Sequence, residues 1–270
     1  MKPTKLASRF LLGLALCLAL TQTATARRLN DTGVTRCSSA GDSGLPCPVA
    51  GFEGQDGDYG RDAKDRRQVL EKKGFGAAGF DFTKIANGGG KLPGSAQQGE
   101  GVSDWACTYD NVTGLLWEVQ TRYPGLRYLG NRYSWYDADP LTNGGDAGVQ
   151  NGGLCIGGIA CDTAAYIEAV NQLALCGFND WRLPTVDELG SLIDYSKAYP
   201  APAIDRRAFP DEIEPLSATS WTGRWVWSST SQVDNPVSAG NAWSVSFSRG
   251  SNDAGGKNGA FAVRLVRGKK

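Results

Sequence analysis

One stretch of the sequence constrains the fold more than any other, and it reads Cys176-Gly177-Phe178-Asn179-Asp180-Trp181-Arg182-Leu183-Pro184-Thr185-Val186-Asp187-Glu188-Leu189. Pro184 disfavours a helical backbone at Leu183, because its ring clashes with a helical residue before it. Thr185 and Glu188 have the spacing of a capping box, in which each side chain bonds the backbone N–H of the other. The segment therefore predicts an extended entry into a helix that begins after Thr185.

The polar side chains of this segment have a structural and a chemical interpretation. We expect Trp181 to fill the core beside the helix, and Arg182 to pair with a carboxylate or with bare carbonyl oxygens. Thr185 caps the helix, and Glu188 lies at its positive end. The alternative is that Asp180 and Glu188 form a paired acid and base. The structural interpretation is favoured, because nothing in the sequence shows that these two carboxylates converge.

Another helix is predicted just before this segment, over residues 163–175. Asp162 or Thr163 is its N-cap, and Gly177 is its C-terminal stop. The predicted apolar stripe consists of Ile167, Val170, Leu173 and Ala174.

The end of the chain is rich in predicted strands. Residues 241–248 alternate between apolar and serine side chains, which predicts a half-buried antiparallel strand with Trp243 on the buried face. Residues 261–267 alternate in a similar way, and their Arg264 and Arg267 lie either in buried ion pairs or on an exposed strand face. Two helices before several strands predict an α+β fold with a twisted antiparallel sheet.

The first residues predict export from the cell. Three basic residues, an apolar run over residues 10–20 and the sequence Ala24-Thr25-Ala26 give residues 1–26 the pattern of a secretory signal peptide. The apolar run is too short for a membrane-spanning helix, which needs about 20 residues. We therefore expect no transmembrane segment.

Tryptophan marks the predicted domain boundary. All eight tryptophans lie between Trp105 and Trp243. A packed domain is therefore predicted over residues 103–270, and residues 27–102 are predicted to form a smaller, loop-rich region.

Cysteine indicates the compartment. Six of the seven cysteines follow residue 26, and an even number in an exported chain predicts disulfides in an oxidising environment. The sequence does not choose among the possible pairings, although short loops favour two of them. The favoured set is Cys37–Cys47, Cys155–Cys161 and, by remainder, Cys107–Cys176. The alternative of a metal site lacks both a C-x-x-C pair and a histidine.

Composition excludes several functional classes. Lys+Arg and Asp+Glu are both 28, so no general electrostatic attraction to nucleic acid is expected. Histidine is absent, which excludes Ser-His-Asp and Cys-His catalysis and every His-ligated metal site.

Five motifs, in this order, resemble the Lcl C-terminal domain family, which is named for a bacterial collagen-like adhesin. The resemblance covers about residues 105–268 and implies a C-type-lectin-like fold with kinship to the formylglycine-generating enzymes. It also implies adhesion to glycosaminoglycans or cell surfaces, although this chain has no collagen repeat. The motifs are Tyr109-Asp110-Asn111-Val112-Thr113-Gly114-Leu115-Leu116-Trp117, the 176–189 segment, Trp227-Ser228-Ser229-Thr230-Ser231, Ala242-Trp243-Ser244-Val245-Ser246-Phe247 and Val263-Arg264-Leu265-Val266-Arg267.

We predict a ligand surface on the loops at 229–241 and 248–259. Short polar side chains beside tryptophans suit a saccharide or a protein surface, and plain solvated loops are the alternative. The predicted binding residues are Trp221, Trp225, Ser229, Ser231, Asp234, Asn235, Asn241, Trp243, Arg249 and Asn252. The residues predicted to be structural are Trp117, Asp180, Trp181, Arg182, Thr185, Glu188, Arg264 and Arg267.

Calcium is a weak candidate ligand. Asp137, Asp139 and Asp146 lie in a Gly-rich loop, and oxygen ligands suit this ion. Loop carboxylates more often only stabilise turns, so no cofactor is expected.

The leading functional hypothesis is an exported, non-catalytic binding module, such as an adhesin that recognises a glycan or a cell-surface protein. One alternative is a structural component of the envelope or of a pilus. Another is a degenerate relative of the formylglycine-generating enzymes, because those need a C-terminal cysteine pair and no cysteine follows Cys176.

Overall fold

The computed structural model describes residues 29–197, 202–210, 224–234 and 236–268. The predicted signal peptide, Trp221 and Asn235 lie outside these residues. The described strands are β1 (Arg36–Cys37), β2 (Leu45–Pro46), β3 (Phe82–Ala86), β4 (Trp105–Asp110), β5 (Leu116–Glu118), β6 (Trp225–Ser231), β7 (Asn241–Ser246), β8 (Ser251–Gly256) and β9 (Val266–Arg267). The α-helices are α1 (Gly60–Arg66), α2 (Thr163–Gln172) and α3 (Val186–Gly190), and 3₁₀ helices cover Asp56–Asp58, Leu175–Gly177 and Pro236–Ser238. None of the described helices has the length and apolar character needed to cross a membrane.

Antiparallel sheets organise the fold. The strands β3, β4, β5 and β9 form a four-stranded sheet in that order, β6, β7 and β8 form a three-stranded sheet, and β1 pairs with β2. The register places Thr83 opposite Tyr109 in the first sheet and Val245 opposite Asn252 in the second. Few helices and antiparallel sheets confirm the predicted α+β class, whereas the lectin-like topology implied by the resemblance stays a prediction.

The four-stranded sheet begins upstream of residue 103. Strand β3 comes from the region predicted to be loop-rich, and it pairs with β4. Phe82 on this strand packs edge-on against Phe209, with ring centroids 5.4 Å apart, and both are buried. The tryptophan pattern misses this strand because its core side chains are phenylalanine and isoleucine.

Helix α3 forms as the capping pattern predicts. The Thr185 hydroxyl accepts the Glu188 N–H at 3.2 Å, and the Glu188 carboxylate accepts the Thr185 N–H at 2.9 Å. The helix contacts β6, β7 and β8, and its Leu189 is fully buried in the core. The capping box therefore sets the point at which the chain turns onto the three-stranded sheet.

Helix α2 is shorter than predicted. It ends at Gln172, and Leu173, which we placed on its apolar stripe, is 59% exposed. Ala174 is also exposed and adopts a left-handed backbone with φ 49°. Val170 of the predicted stripe is buried and Ile167 packs partly buried against the core, as predicted, and Tyr166, which was not predicted, is fully buried. The predicted stripe was wrong at its C-terminal end because the chain leaves the helical path before the apolar pattern stops.

The serine face of β7 is buried, and the half-buried prediction was wrong. Ser244, Ser246 and Ser248 are at most 6% exposed, whereas Trp243 is only partly buried. The Ser244 hydroxyl donates to the Asp253 carbonyl at 2.9 Å, and the other two hydroxyls bond each other at 2.9 Å. Hydrogen bonds inside the fold remove most of the cost of burying these groups.

The last predicted strand is reduced to β9, which pairs with β5. Phe261 and Ala262 make isolated bridges to Tyr133 and Val226. This part of the chain therefore links the two sheets instead of extending one of them.

The part of the chain that the structure describes contains three disulfides, and they confirm the pairing that short loops favoured. The Cα–Cα distances of 5.2, 6.5 and 5.5 Å lie within the range that disulfide geometry permits. The pairs are Cys37–Cys47, Cys107–Cys176 and Cys155–Cys161.

Candidate functional site

A groove lies where α2, the chain after Ser134, the Arg182-Leu183 pair and β6 meet. Its volume is about 320 Å³. We call it the α2 groove, and its lining residues are Trp135, Tyr136, Asp137, Ala138, Ala164, Ile167, Glu168, Arg182, Leu183 and Ser229.

Local hydrogen bonds hold the walls of the α2 groove in place. The Thr163 hydroxyl, at the start of α2, accepts the Tyr136 N–H and donates to the Tyr136 carbonyl, both at 2.9 Å. The Trp135 indole N–H donates to the Ser228 carbonyl at 2.9 Å. Asp162 caps α2 by accepting an N–H of the first turn at 2.9 Å. The groove is therefore formed by fixed elements and not by free loop ends.

Arg182 forms a bidentate pair with Glu188 at the edge of the groove. Its two Nη atoms lie 2.7 and 2.8 Å from the two carboxylate oxygens. The Arg182 backbone N–H donates to the Val266 carbonyl at 3.0 Å, which fixes the chain beside β9. A fork-to-fork pair of this kind neutralises the guanidinium and holds it in one orientation.

Other polar groups of the groove have unfilled hydrogen-bonding capacity. The hydroxyls of Tyr136 and Ser229 make no hydrogen bond to any residue that the structure describes. One Glu168 oxygen accepts from Gln172 at 3.1 Å, and the other oxygen has no partner within the described ranges. The Asp137 oxygens accept from the loop that follows them. Free hydroxyls and one carboxylate oxygen are thus available to a ligand.

Lys257 follows β8, and its ammonium reaches the loop that we considered for calcium. Its ammonium donates to the carbonyls of Asn143, Asp146 and Ala239 at 2.7, 2.6 and 2.8 Å, and the residue is 2% exposed. The ammonium also lies 4.3 Å from the centroid of the Trp135 ring. Burial lowers the pKa of Lys257, and the nearby Asp146 carboxylate opposes this shift. Carbonyl oxygens that would suit a bound cation are therefore already used by a side chain.

The calcium-candidate carboxylates bond within their own loop. Asp137 accepts the Thr142 hydroxyl at 2.6 Å, Asp139 accepts the N–H of residue 141 at 2.9 Å, and Asp146 accepts the N–H of residue 148 at 2.7 Å. They support turns at these positions, as loop carboxylates usually do.

A different carboxylate cluster, which the sequence did not suggest, lies near the N-terminus. Oxygen atoms of Asp31, Asp56 and Asp62 lie within 4.8 Å of one another. Asp62 is fully buried and accepts the N–H groups of Gly33 and Gly79 at 2.7 and 2.6 Å. Burial raises the pKa of Asp62 to about 6.

The predicted ligand surface does not come together. Successive hairpins of an antiparallel sheet turn at opposite ends, so the β6–β7 loop lies at one end of the sheet and the β7–β8 turn lies at the other. Ser231 pairs with Ala242 at the first end, and Ser246 pairs with Ser251 at the second. This arrangement separates Ser231, Asp234 and Asn241 from Arg249 and Asn252.

Two residues of the predicted surface line different hollows. Ser229 lines the α2 groove, and Asn252 lines a hollow of about 280 Å³ beside α3. Trp225 and Trp243 are only partly exposed, so they are not open aromatic platforms.

Asp180 and Glu188 bind different arginines. Asp180 pairs with Arg267 through contacts of 2.6 and 3.1 Å, and this hydrogen bonding lowers the pKa of Asp180. Glu188 pairs with Arg182, as described above. The two carboxylates thus serve as separate anchors for the chain around Trp181, which is 2% exposed.

Arg264 is fully buried beside Glu118 and Phe209. One Nη donates to the Glu118 carbonyl at 2.9 Å, and the guanidinium carbon lies 4.8 Å from the Phe209 ring centroid. The exposed-face alternative for Arg264 was therefore wrong, because β5 and the aromatic core enclose this position.

Sequence reasoning missed Tyr136 and Glu168 as groove residues. Tyr136 lies in a stretch without a motif, and Glu168 lies on the polar side of α2. The adjacent Trp135-Tyr136 pair was the available signal, but nothing in the sequence shows that it faces α2.

Comparison with protein-family models matches residues 106–267 to the Lcl C-terminal domain. This match covers more than half of the 270 residues. No match was found among curated proteins or among solved structures. The matched region contains α2, α3, β6 to β9 and every residue that lines the groove. The chain therefore belongs to the Lcl C-terminal domain family.

Proposed function

We propose that the protein is an exported, non-catalytic binding module, of the adhesin type, that recognises a glycan through the α2 groove. Membership of the Lcl C-terminal domain family supports a binding role. The three disulfides support an oxidising compartment outside the cytosol.

The observation that carries the proposal is a pair of free hydroxyls in a concave, partly aromatic surface. Tyr136 and Ser229 both line the groove, and neither hydroxyl bonds to a described residue. Small-ligand sites combine apolar and aromatic walls with a few convergent polar groups. A sugar ring offers hydroxyls for these groups and an apolar face for an aromatic ring.

The paired acid and base considered for Asp180 and Glu188 receives no support from the contacts of these two carboxylates. Asp180 and Glu188 are each held by an arginine, and a general acid or base needs a carboxyl that is free to exchange a proton with the substrate.

A glycan array with the oxidised mature chain tests the proposal. Tyr136→Phe removes only the hydroxyl, so we expect about a fivefold loss of affinity for any retained glycan. Tyr195→Phe is the matched control, because Tyr195 is an exposed tyrosine that lines the other hollow. An array without any retained glycan contradicts the proposal, as does a loss of binding in the control variant alone.

A structural envelope component is the second candidate. Leu141 and Val237 are 91% and 90% exposed, and Val233 is 68% exposed. The Lys257 ammonium links the loop that carries Asn143 to the loop that carries Ala239, because it donates to both carbonyls. Exposed aliphatic groups of this kind favour a protein contact, and co-purification with pilus or outer-surface proteins would support this candidate over glycan binding.

A further inference from the structure

We propose that the outer edge of β8 binds an extended segment of another polypeptide, which adds to the three-stranded sheet as a fourth strand. The segment that fits this edge carries an apolar side chain with a basic residue next to it. This proposal goes beyond the proposed function, because it concerns main-chain groups of β8 and a protein partner, and not the α2 groove.

The edge of β8 differs from the other outer edges of the two larger sheets. The outer edges of β3, β6 and β9 are covered by bridges to Lys91, Ala262 and Arg182. Strand β8 pairs with β7 on one side, and on its other side it makes no bridge to any residue that the structure describes. An uncovered strand edge is a template on which another chain can pair.

The alternation of an antiparallel ladder shows which main-chain groups of β8 point outward. The Trp227 N–H points away from β7, because it donates to a carbonyl outside the sheet. Ser244, which lies opposite Trp227, therefore directs its main-chain groups to Asp253 on the other side. The Ser244 hydroxyl also donates to the Asp253 carbonyl. Since Asp253 bonds inward, its neighbours Asn252 and Ala254 point their main-chain groups outward.

Most of these outward groups are free. The N–H and C=O of Asn252 and the C=O of Ala254 make no hydrogen bond outside the sheet to any described residue. The Ala254 N–H donates to the carboxylate of Asp253 at 2.8 Å, and this side chain is exposed. A partner strand thus finds a complete donor and acceptor pair at Asn252 and a further acceptor at Ala254. In strand addition, such main-chain bonds provide the affinity.

A hollow at the Asn252 end of this edge can receive a side chain of the partner. Its volume is about 280 Å³, and we call it the α3 hollow. Asn252 lies opposite Val245, which is buried in the same core cluster as Leu189 of α3. A strand residue that pairs with Asn252 points its side chain to this same face. The apolar side chains that line the α3 hollow are Leu29, Val186, Ile193 and Tyr195.

The charges beside the edge favour a basic partner over a second copy of this chain. Asp31 and Asp187 line the α3 hollow, and none of the described residues that line it is a lysine or an arginine. Asp253 is exposed on the edge itself. Opposite charges on paired strands are stabilising, and like charges directly opposite are destabilising. Antiparallel pairing of two β8 edges brings two Asp253 carboxylates together.

Peptide binding to the oxidised mature chain tests the proposal. The probe is a short fluorescent peptide in which valine alternates with lysine, and fluorescence anisotropy measures its affinity. We expect the same peptide with every amide N-methylated to bind at least about tenfold more weakly, because it keeps the side chains and loses the donors. A valine–glutamate peptide should also bind more weakly than the lysine peptide. Hydrogen exchange should slow at the Asn252 N–H in the complex, which is a readout that needs no variant.

A pair of variants assigns the binding to the edge of β8. Asn252→Pro removes an N–H that points away from β7, and proline is tolerated at such a position of an edge strand. Asn252→Ala is the matched control, because it removes the side chain and keeps the N–H. We expect the proline variant to lose at least about tenfold in peptide affinity and the alanine variant to lose less than about threefold. Urea unfolding shows that both variants are folded.

The possible results decide the proposal. Binding that survives N-methylation of the peptide, or that is equal in Asn252→Pro and Asn252→Ala, overturns it, because main-chain pairing is then not the cause. A valine–lysine peptide that does not bind, or that leaves the exchange of the Asn252 N–H unchanged, also overturns it. A wild-type dimer that Asn252→Pro dissociates assigns the edge to a second copy and contradicts the partner proposed here. None of these results bears on the α2 groove, which the glycan array tests separately.

Discussion

Replacing Lys257 with methionine removes the cation that joins two loops, and it should destabilise the protein. The change leaves the carbonyls of Asn143, Asp146 and Ala239 without their donor. A hydrogen bond to a charged group contributes about 1.5–3 kcal/mol. The cost of removing the ammonium from water in the folded protein offsets part of the contribution of these three hydrogen bonds, by several kcal/mol. The free energy of unfolding should therefore fall by about 3 kcal/mol in Lys257→Met.

Thermal and urea unfolding measure this loss. For a chain of this size, 1 kcal/mol corresponds to about 2–4 °C in Tm, so we expect Tm to fall by about 6–12 °C. The loop at 137–148 should also become more sensitive to proteolysis, because two of the freed carbonyls belong to it.

Lys84→Met is the matched control. Lys84 is 7% exposed and lies 3.8 Å from the Trp105 ring centroid, but its ammonium donates to a single carbonyl, that of Ala96, at 2.8 Å. Its replacement should cost about 1 kcal/mol. Equal losses in the two variants would refute the reasoning, because the number of bonded carbonyls would then not set the effect. A Lys257→Met protein as stable as wild type would refute it directly.

Two further predictions concern stability. Asp62 has a folded pKa of about 6, raised by burial from the ordinary value of 3.8. The folded state therefore binds this proton more tightly than the unfolded state, so stability should fall by about 3 kcal/mol as pH rises from about 4 to above 6. Asp62→Asn should flatten this part of the pH profile in urea unfolding. Removing Cys107–Cys176, whose residues are 69 apart, should cost about 4 kcal/mol, and removing Cys155–Cys161, whose residues are 6 apart, about 2.

Each of the two predictions has a control. Asp187→Asn changes an exposed acidic residue, and it should leave the pH profile unchanged. An Asp62→Asn profile as steep as wild type would show that another group causes the slope. Equal losses for the two disulfide variants, compared as double alanine substitutions, would show that loop length is not the governing factor.

Local features of the fold could be predicted because their causes are local. The capping box of Thr185 and Glu188 depends on two residues three apart, and it is present. Two of the disulfides close short loops, and the third follows by remainder. The pattern of helices before strands was sufficient for the α+β class.

Nonlocal features escaped prediction for a corresponding reason. Alternation predicted that the serines of β7 face solvent, but other parts of the fold cover that face. The loops at 229–241 and 248–259 looked like one surface because both follow strands of one sheet. Antiparallel hairpins turn at opposite ends, and this separates Asp234 from Arg249 whatever their composition.

By itself, the sequence determined the family, the α+β class and the start of α3, because motifs and caps act over a few residues. Only the tertiary structure decided that Tyr136, Glu168 and Ser229 share one groove and that Lys257 takes the carbonyls of the 137–146 loop. These groups lie on chain segments far apart in sequence, and only the packing of α2 and the loops against the sheet brings them within contact distance.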